Sequence, residues 1–231
     1  MRRILFALIL GLSPLPAIAS PEALAEALEA LSARDYAAAA AAQARIDDPA
    51  AAHVVTWTRL RQGRGELAEY IEFIEDHADW PGMPYLMQRG EENIPEGTDP
   101  ATVIAYFDVE QPQTGTGSLR LAAALWETDQ RDAAMAEARR AWTTMSLSEA
   151  EHDQFMVDWP RTLATYHEAR LDHLLWEYEP DQARRMYPLV GDGWERLAEA
   201  RLALRARRGG VDDLVAAVPA DLRDHPGLNF E

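Results

Sequence analysis

Apolar side chains recur every three to four positions along almost the whole chain, and the strict alternation of apolar and polar residues that marks strands is absent. Residues 66–77 show the pattern most clearly, because their apolar residues follow the spacing i, i+3, i+4 and i+7 and glutamates occupy the other faces. These apolar residues are Leu67, Tyr70, Ile71 and Ile74. The periodicity predicts an all-α protein.

Several helix starts are marked by a polar capping residue followed by proline, which has no backbone N–H and fits the first turn. Ser20-Pro21, Asp48-Pro49 and Asp99-Pro100 have this form. Ser148 and Glu151 have the spacing of a capping box. These signals predict four helix N-termini.

Short connections join the predicted helices, as in antiparallel helix pairs. One long helix is predicted over residues 160–178, and residues 115–117 are predicted to lie in a loop before a helical hairpin. A weak repeat supports stacking of the pairs: Arg34-Asp35-Tyr36-Ala37, Arg131-Asp132-Ala133-Ala134 and Pro180-Asp181-Gln182-Ala183 all open a second helix with aspartate and then alanine. We expect one domain, residues 20–231, folded as a superhelical array of antiparallel helix pairs, a degenerate tetratricopeptide-like solenoid.

The first nineteen residues have the composition of a secretory signal peptide. Arg2 and Arg3 provide a positive start, residues 4–12 form a short apolar stretch, and residues 17–19, Ala-Ile-Ala, match a small-residue cleavage signal. The apolar stretch is far shorter than the roughly 20 residues that a membrane-spanning helix needs, so a membrane anchor is the less favoured alternative. We expect export, cleavage after Ala19 and no membrane attachment afterwards.

Charge and cysteine content narrow the range of partners. The chain has 22 basic residues, all of them arginine, against 39 acidic residues, which gives a net charge of −17. Removal of Arg2 and Arg3 with the signal peptide leaves 20 minus 39, or −19. This charge argues against nucleic acid and anionic membrane surfaces as binding partners, since both would repel the protein.

Without cysteine the exported chain has no disulfides and depends on packing for its stability.

The sequence shows no recognisable catalytic or metal-binding motif. His167 and His173 lie six positions apart, roughly 240° around a helix, whereas a zinc pair needs a spacing of four. We therefore expect His167 in the core or an interface. Glu149 and His152 have the spacing of a di-iron helix but lack the second pair and two further glutamates, so we expect them on a solvated face. We predict no catalytic residue, no metal and no cofactor, and the substrate-binding residues remain unknown.

The chain contains seven tryptophans, spread evenly along it. They are Trp57, Trp80, Trp126, Trp142, Trp159, Trp176 and Trp194. Two roles compete: stacking against sugars along a concave face, or packing between helices. Packing is favoured because Trp126 and Trp142 lie on apolar stripes.

Seven short motifs occur in order along the chain. They are Trp57-Thr58-Arg59-Leu60-Arg61, Tyr70-Ile71-Glu72-Phe73, Asp79-Trp80-Pro81-Gly82, Arg89-Gly90-Glu91, Pro112-Gln113-Thr114-Gly115-Thr116-Gly117, Ala200-Arg201-Leu202-Ala203-Leu204 and Asp224-His225-Pro226-Gly227-Leu228. Together they resemble the N-terminal superhelical region of soluble lytic transglycosylases of the bacterial periplasm. Each motif is moderately specific, and their order over most of residues 20–231 carries the resemblance. It implies a U-shaped superhelix of helix pairs.

The resemblance also implies a link to peptidoglycan. In that family a separate lysozyme-like domain, C-terminal to the superhelix, cleaves the glycan strand of murein between N-acetylmuramic acid and N-acetylglucosamine and leaves a 1,6-anhydro end. One glutamate acts first as acid and then as base. The family's Glu-Ser-x-Phe and Gly-Leu-Met-Gln stretches are absent here; Leu86-Met87-Gln88 resembles part of the second, but Tyr85 replaces the glycine. No residue inherits the catalytic role, and we expect the superhelix to be incomplete at its C-terminus.

The leading functional hypothesis is a non-catalytic superhelical module in the periplasm that binds murein or positions a catalytic partner. The alternative is a periplasmic helical-repeat adaptor that binds a protein partner. A free-standing hydrolase is the weakest hypothesis, because no acid–base constellation emerges among the carboxylates. A solenoid without a C-terminal cap would expose apolar surface near Trp194 and Leu197, so we also predict self-association.

Overall fold

The computed structural model describes residues 21–231; the predicted signal peptide and its cleavage site lie outside the described residues. Within that range the secondary structure consists of fifteen α-helices and one 3-10 helix, without a strand, which confirms the all-α prediction. In chain order they are α1 (Pro21–Ser32), α2 (Tyr36–Gln43), α3 (Pro49–Arg61), α4 (Leu67–Asp76), α5 (Met83–Glu91), α6 (Pro100–Tyr106), α7 (Gly115–Glu127), α8 (Arg131–Thr144), α9 (Glu149–Asp158), α10 (Pro160–Leu163), α11 (His167–Trp176), α12 (Pro180–Arg185), the 3-10 helix (Tyr187–Leu189), α13 (Asp192–Arg205), α14 (Val211–Ala216) and α15 (Pro226–Phe230). Among residues 21–231, no helix has the length and apolar character needed to cross a membrane.

The helices form two compact units, one ending at Arg64 and the other running from Gly65 to Glu231. In the first unit, α1, α2 and α3 pack around a small core in which alanines let the helices approach closely. The buried residues of that core are Ala27, Leu31, Ala39, Ala42 and Val55. In the second unit, the largest core contains the fully buried Trp142 together with Phe155 and Leu163.

Three of the predicted capping signals are confirmed within the described residues. The Asp48 carboxylate accepts a hydrogen bond from a backbone N–H at the start of α3 (2.9 Å), and Asp99 does the same at the start of α6 (3.1 Å). Ser148 and Glu151 form the capping box of α9, in which each side chain accepts a bond from the other residue's backbone N–H. Each bond satisfies one of the N–H groups that a helix N-terminus leaves without an intrahelical partner.

Five helices end in the same tight turn. In each turn, the N–H of a residue with positive φ bonds to the carbonyl three residues back, and the next N–H bonds to the carbonyl five residues before it. The positive-φ residues are Arg34, Gly63, Asp129, Tyr178 and Arg207. Four of the five carry a side chain, although this left-handed conformation favours glycine. Three of these turns lie at or just before the repeated aspartate–alanine sequences, although the first sequence begins at its positive-φ residue Arg34 and the other two begin two residues after theirs.

Two predicted boundaries are wrong. The helix predicted over residues 160–178 is split into α10 and α11 by a turn at residues 164–166. The turn brings Tyr166 to Arg139 of α8, whose guanidinium carbon lies 5.8 Å from the ring centroid. Apolar spacing continues across this turn, so the pattern did not reveal it. Residues 115–117, predicted in a loop, form the first turn of α7, which is capped by Thr114.

The exposed apolar surface expected near Trp194 and Leu197 is not found. Leu197 is fully buried and Trp194 is half-buried. The segment that follows α13 covers this face and contributes Val218 and Leu228 to a separate small core. The surface on which self-association was predicted is thus covered by the chain's own residues.

Candidate functional site

An open groove lies between the C-terminal end of α7 and the corner where α9 meets α10. It encloses about 560 Å³, within the range of roughly 300–1,000 Å³ typical of small-molecule sites. The residues that line it are Ala123, Trp126, Glu127, Val157, Asp158, Trp159, Pro160, Arg161 and Thr162. We call this the Trp126 groove.

Trp126 is the most accessible tryptophan of the described residues, with 42% of its surface exposed. It lies one residue before the end of α7, and the tight turn at Asp129 leads the chain back past it into α8. Arg131, the first residue of α8, donates from Nε to the Asp129 carboxylate at 2.9 Å. Its guanidinium carbon lies 4.7 Å from the Trp126 ring centroid. The turn thus places a cation over the exposed indole, an interaction worth about 0.5–1 kcal/mol at a surface.

Trp159 is the buried aromatic neighbour of Trp126 in the groove. It is the residue at which α9 ends and α10 begins, and Pro160 follows it as the first residue of α10. The Trp159 ring is 7% exposed and lies nearly perpendicular to the Trp126 ring, with centroids 5.5 Å apart and planes at 86°. Burial holds the Trp159 ring in place, so the exposed Trp126 ring packs against a rigid partner.

Charged side chains surround the aromatic pair. Glu127, Asp158 and Arg161 are exposed at the rim of the groove. Gln154 donates to both carboxylate oxygens of Asp158 at 2.9 Å, which holds this carboxylate in place. The groove therefore combines an aromatic surface with groups that accept and donate hydrogen bonds.

Two other carboxylates hold the N-terminal end of α7 and so fix the direction in which this helix reaches the groove. Glu91, 1% exposed, accepts hydrogen bonds from the backbone N–H groups of Gln113 and Thr114 and from the Thr114 hydroxyl, at 2.6 to 3.0 Å. Glu151 accepts from the N–H and hydroxyl of Thr116 at 2.7 and 2.9 Å. Carboxylates are stabilised near a helix N-terminus because its N–H groups carry partial positive charge.

These two carboxylates differ in their pKa values. Desolvation by burial raises the pKa of Glu91, although its hydrogen bonds to the start of α7 oppose the change. Burial acts in the same direction on Glu151, but hydrogen bonds from Ser148 and Thr116 outweigh it and its pKa is lowered. Neither carboxylate lines the groove, so both serve to position α7.

Close packing at this end of α7 requires glycine at two positions. A Cβ at Gly117 would overlap the Glu91 carboxylate. A Cβ at Gly115 would lie 2.6 Å from a Leu147 methyl carbon and 2.7 Å from the carboxyl carbon of Glu151. The Gly-Thr-Gly sequence is therefore explained by the approach of two carboxylates to the helix.

The tryptophans divide between the two predicted roles. Trp142 is fully buried and Trp159 nearly so, as packing predicts. Trp126 was expected on a packed stripe but is exposed, and Trp176, 37% exposed, also reaches the surface. Trp57, Trp80 and Trp194 are half-buried. The prediction failed for Trp126 because an apolar stripe can continue into the last turn of a helix, past the end of the neighbouring helix. Trp126 lies in the last turn of α7.

Two of the histidines pack against the buried Trp142. His167 is half-buried with its ring centroid 5.6 Å from that of Trp142, as expected for a core or interface position. His152 was predicted on a solvated face, and this is wrong: it is 5% exposed and its ring lies 4.9 Å from Trp142. Glu149, three residues before it, is exposed. Within residues 21–231, no group of three or more histidine or acidic side chains is arranged to hold a metal ion.

Arg131 and Trp159 were not anticipated as members of a site. A signal for Trp159 exists, because the residue before a proline is pushed out of the helical conformation and Trp159-Pro160 therefore indicates a corner with an aromatic side chain. The position of Arg131 over Trp126 depends on the turn at Asp129 and has no comparable signal.

No family model, curated protein or solved structure matches the chain. The resemblance to the superhelical region of lytic transglycosylases therefore rests on the short ordered motifs alone.

Proposed function

We propose that the protein is a non-catalytic module that binds the glycan strand of peptidoglycan in the Trp126 groove. The observation that carries the proposal is an exposed indole beside two carboxylates and the Arg161 guanidinium in an open groove. One face of a sugar ring presents C–H groups, which stack on an aromatic ring, while its hydroxyls bond to the charged groups around it. The ordered family motifs support murein as the source of the sugar.

The exposure of the groove's carboxylates supports the proposal of binding without cleavage. Glycan cleavage needs a carboxyl group that keeps its proton near neutral pH, and an apolar environment is the usual cause. Glu127 and Asp158 are exposed, which suits hydrogen bonds to sugar hydroxyls. The net charge of −17 is no obstacle, since stacking and hydrogen bonds do not require a positive surface.

We further propose a superhelical architecture and a periplasmic location for the protein. The helix pairs would stack into a U-shaped, tetratricopeptide-like superhelix, and the equivalent turns at Arg34, Asp129 and Tyr178 support such a repeat. Cleavage after Ala19 would release the protein into the periplasm, where murein is found. A module of this kind would hold the strand for a catalytic partner.

The alternative is a periplasmic adaptor that binds a protein partner, and one observation favours it. An apolar groove of about 260 Å³ lies between α4 and α6 and is lined by Ile71, Ile74 and the 73% exposed Val109. Nothing in the described residues identifies an occupant for this surface, whereas the Trp126 groove has the chemistry of a sugar site. We therefore prefer the glycan proposal.

The test is a pull-down of the purified protein on insoluble peptidoglycan sacculi, with the soluble products read by mass spectrometry. We expect binding without release of anhydro-muropeptides. Trp126→Ala should reduce the bound fraction at least tenfold. Trp176→Ala is the matched control, because Trp176 is similarly exposed but does not line the groove.

Equal loss of binding in both variants, or in neither, would remove the Trp126 groove from the proposal. Absence of binding by the unaltered protein would favour the adaptor. Release of anhydro-muropeptides would show that the protein is itself catalytic.

A further inference from the structure

The corner between α9 and α10 presents three exposed side chains of different chemistry to the Trp126 groove. Val157 is apolar and 72% exposed, the Asp158 carboxylate can only accept hydrogen bonds, and the Arg161 guanidinium can only donate them. All three line the same cavity of about 560 Å³ as the exposed Trp126 ring. A ligand in this groove therefore meets an apolar contact, an acceptor and a donor beside one aromatic surface.

Buried residues hold this corner in place. Trp159 is 7% exposed and Leu163 is 0% exposed, and both belong to the largest core of the second unit. The N–H of Leu163 donates to the carbonyl of Trp159 at 3.0 Å. Val157 and Asp158 come directly before Trp159, and Arg161 lies between the two buried residues. The three exposed side chains are thus attached to a backbone that close packing fixes.

The Asp158 carboxylate is held in position and still has capacity to accept. Nε2 of Gln154, one helical turn earlier, donates to both carboxylate oxygens at 2.9 Å. Each of these oxygens has two lone pairs, so each can accept a further hydrogen bond. An acceptor oriented in this way suits a directional bond from an N–H or O–H group of a ligand.

An acetamido group has the three parts that complement this corner. Its N–H is a donor, its carbonyl oxygen is an acceptor, and its methyl group is apolar. A sugar hydroxyl can bond to Asp158 or to Arg161, but it has no methyl group to cover Val157. The exposed valine next to an oriented carboxylate therefore distinguishes an acetamido group from a hydroxyl.

We propose that Val157, Asp158 and Arg161 recognise the acetamido group of an N-acetylated amino sugar whose ring stacks on Trp126. In this arrangement the acetamido N–H donates to Asp158, its carbonyl accepts from Arg161, and its methyl group packs on Val157. The inference rests on the proposed function, because it names the part of the glycan that the groove selects. Stacking and hydroxyl contacts alone would accept any glucan, so Val157 is the residue that sets specificity.

The test is isothermal titration calorimetry of the purified protein with two sugar tetramers. One is chitotetraose, in which every ring is N-acetylated, and the other is cellotetraose, in which every ring carries a hydroxyl at that position. We expect chitotetraose to bind more tightly by about tenfold or more, because cellotetraose lacks both the methyl contact and the amide hydrogen bonds.

Two valine variants separate the specificity contact from general effects. Val157→Ser should weaken chitotetraose binding by about fourfold, the value of one buried methylene group, and leave cellotetraose binding unchanged. Val109→Ser is the matched control, because Val109 is 73% exposed and does not line the groove. Since both side chains are largely exposed, neither substitution should impair folding.

Equal affinity for the two tetramers would overturn this inference and leave the glycan proposal intact. Binding of sacculi without binding of chitotetraose would overturn it as well, because the acetamido group would then not be what the groove selects. Weaker chitotetraose binding in both valine variants, or in neither, would remove Val157 from the site. If the protein binds neither the tetramers nor sacculi, the proposed function fails together with this inference.

Discussion

The guanidinium of Arg131 lies over the indole of Trp126, with 4.7 Å between the guanidinium carbon and the ring centroid. The exposed tryptophan of the groove therefore already carries a cation, and a sugar that stacks there has to share the ring or displace Arg131. The two residues are adjacent because the turn at Asp129 reverses the chain between them. Arg131 thus becomes the residue that tunes access to the proposed glycan site.

Removal of this cation should strengthen glycan binding. Arg131→Ala frees the covered part of the ring, and an exposed cation–π contact is worth about 0.5–1 kcal/mol, equivalent to roughly two- to fivefold in affinity. We expect binding to sacculi to tighten by that factor in a titration of bound protein. Arg161→Ala, at the rim, is the comparison and should weaken binding through lost hydrogen bonds. Weaker binding of Arg131→Ala would mean that Arg131 itself contacts the glycan.

The stability of the protein should fall as the solution becomes acidic. The pKa of His152 is about 4 in the folded protein, against 6.5 when unfolded, because burial, Arg170 and Arg185 disfavour its charged form. Asp153 opposes this shift and His167 adds to it. Between these pKa values the unfolded chain binds a proton that the folded chain does not, so the free energy of unfolding decreases as pH falls from about 7 to 4. The loss should approach ~3 kcal/mol.

Urea unfolding at pH 7.5 and pH 4.5 measures this effect, and His152→Gln should flatten the profile. Glu91 has the opposite effect on stability. Its pKa is raised in the folded protein, so above pH 4.5 the folded chain keeps a proton that the unfolded chain loses, and the free energy of unfolding decreases as pH rises. The difference between wild type and His152→Gln isolates the histidine. Parallel profiles for the two proteins would contradict the assignment to His152.

Gly117→Ala should destabilise the second unit. A Cβ at this position overlaps the Glu91 carboxylate, and overpacking of a close-packed interior costs about 1–3 kcal/mol. We expect a lower urea midpoint, read by tryptophan fluorescence. Gly209→Ala is the control, because a Cβ there meets no atom within 4 Å. Identical midpoints for both variants would show that α7 can move away from Glu91 at no cost.

Arg207→Gly should stabilise the protein. Arg207 has a φ of 50°, a left-handed conformation that costs a residue with a side chain about 1–2 kcal/mol, whereas glycine loses about 0.5–1 kcal/mol in the unfolded state. The net gain should be about 0.5 kcal/mol in the free energy of unfolding. Arg208→Gly, one residue later and without positive φ, should instead lower stability. A loss of stability in Arg207→Gly would mean that the Arg207 side chain stabilises the folded protein by more than the strain of its left-handed backbone costs.

Local signals in the sequence predicted local structure well. Asp48, Asp99 and Ser148 each start a helix where the capping pattern places it, because a cap depends only on residues within one turn. The helical periodicity likewise predicted the all-α class, since it reflects which face of each helix meets the core.

Features set by distant residues were missed. His152 lies on a short polar stretch, and only its contact with Trp142 of α8 explains its burial. The turn before α11 depends on Tyr166 reaching Arg139, which is 27 positions away. The Trp126 groove exists because the α9–α10 corner meets the end of α7, a relationship that hydrophobic spacing does not encode.

The turns that close the helix pairs also bear on the order of folding. Each one is held by backbone hydrogen bonds spanning no more than five residues, as at Arg34 and Asp129. Contacts so close in sequence lose little chain entropy when they form, so they arise early and fast. We expect the pairs α1–α2 and α7–α8 to appear as kinetic units ahead of the long-range contact between Glu91 and the start of α7. The contacts that set the direction of α7, which join it to Glu91 and to the more distant Glu151, would then form later.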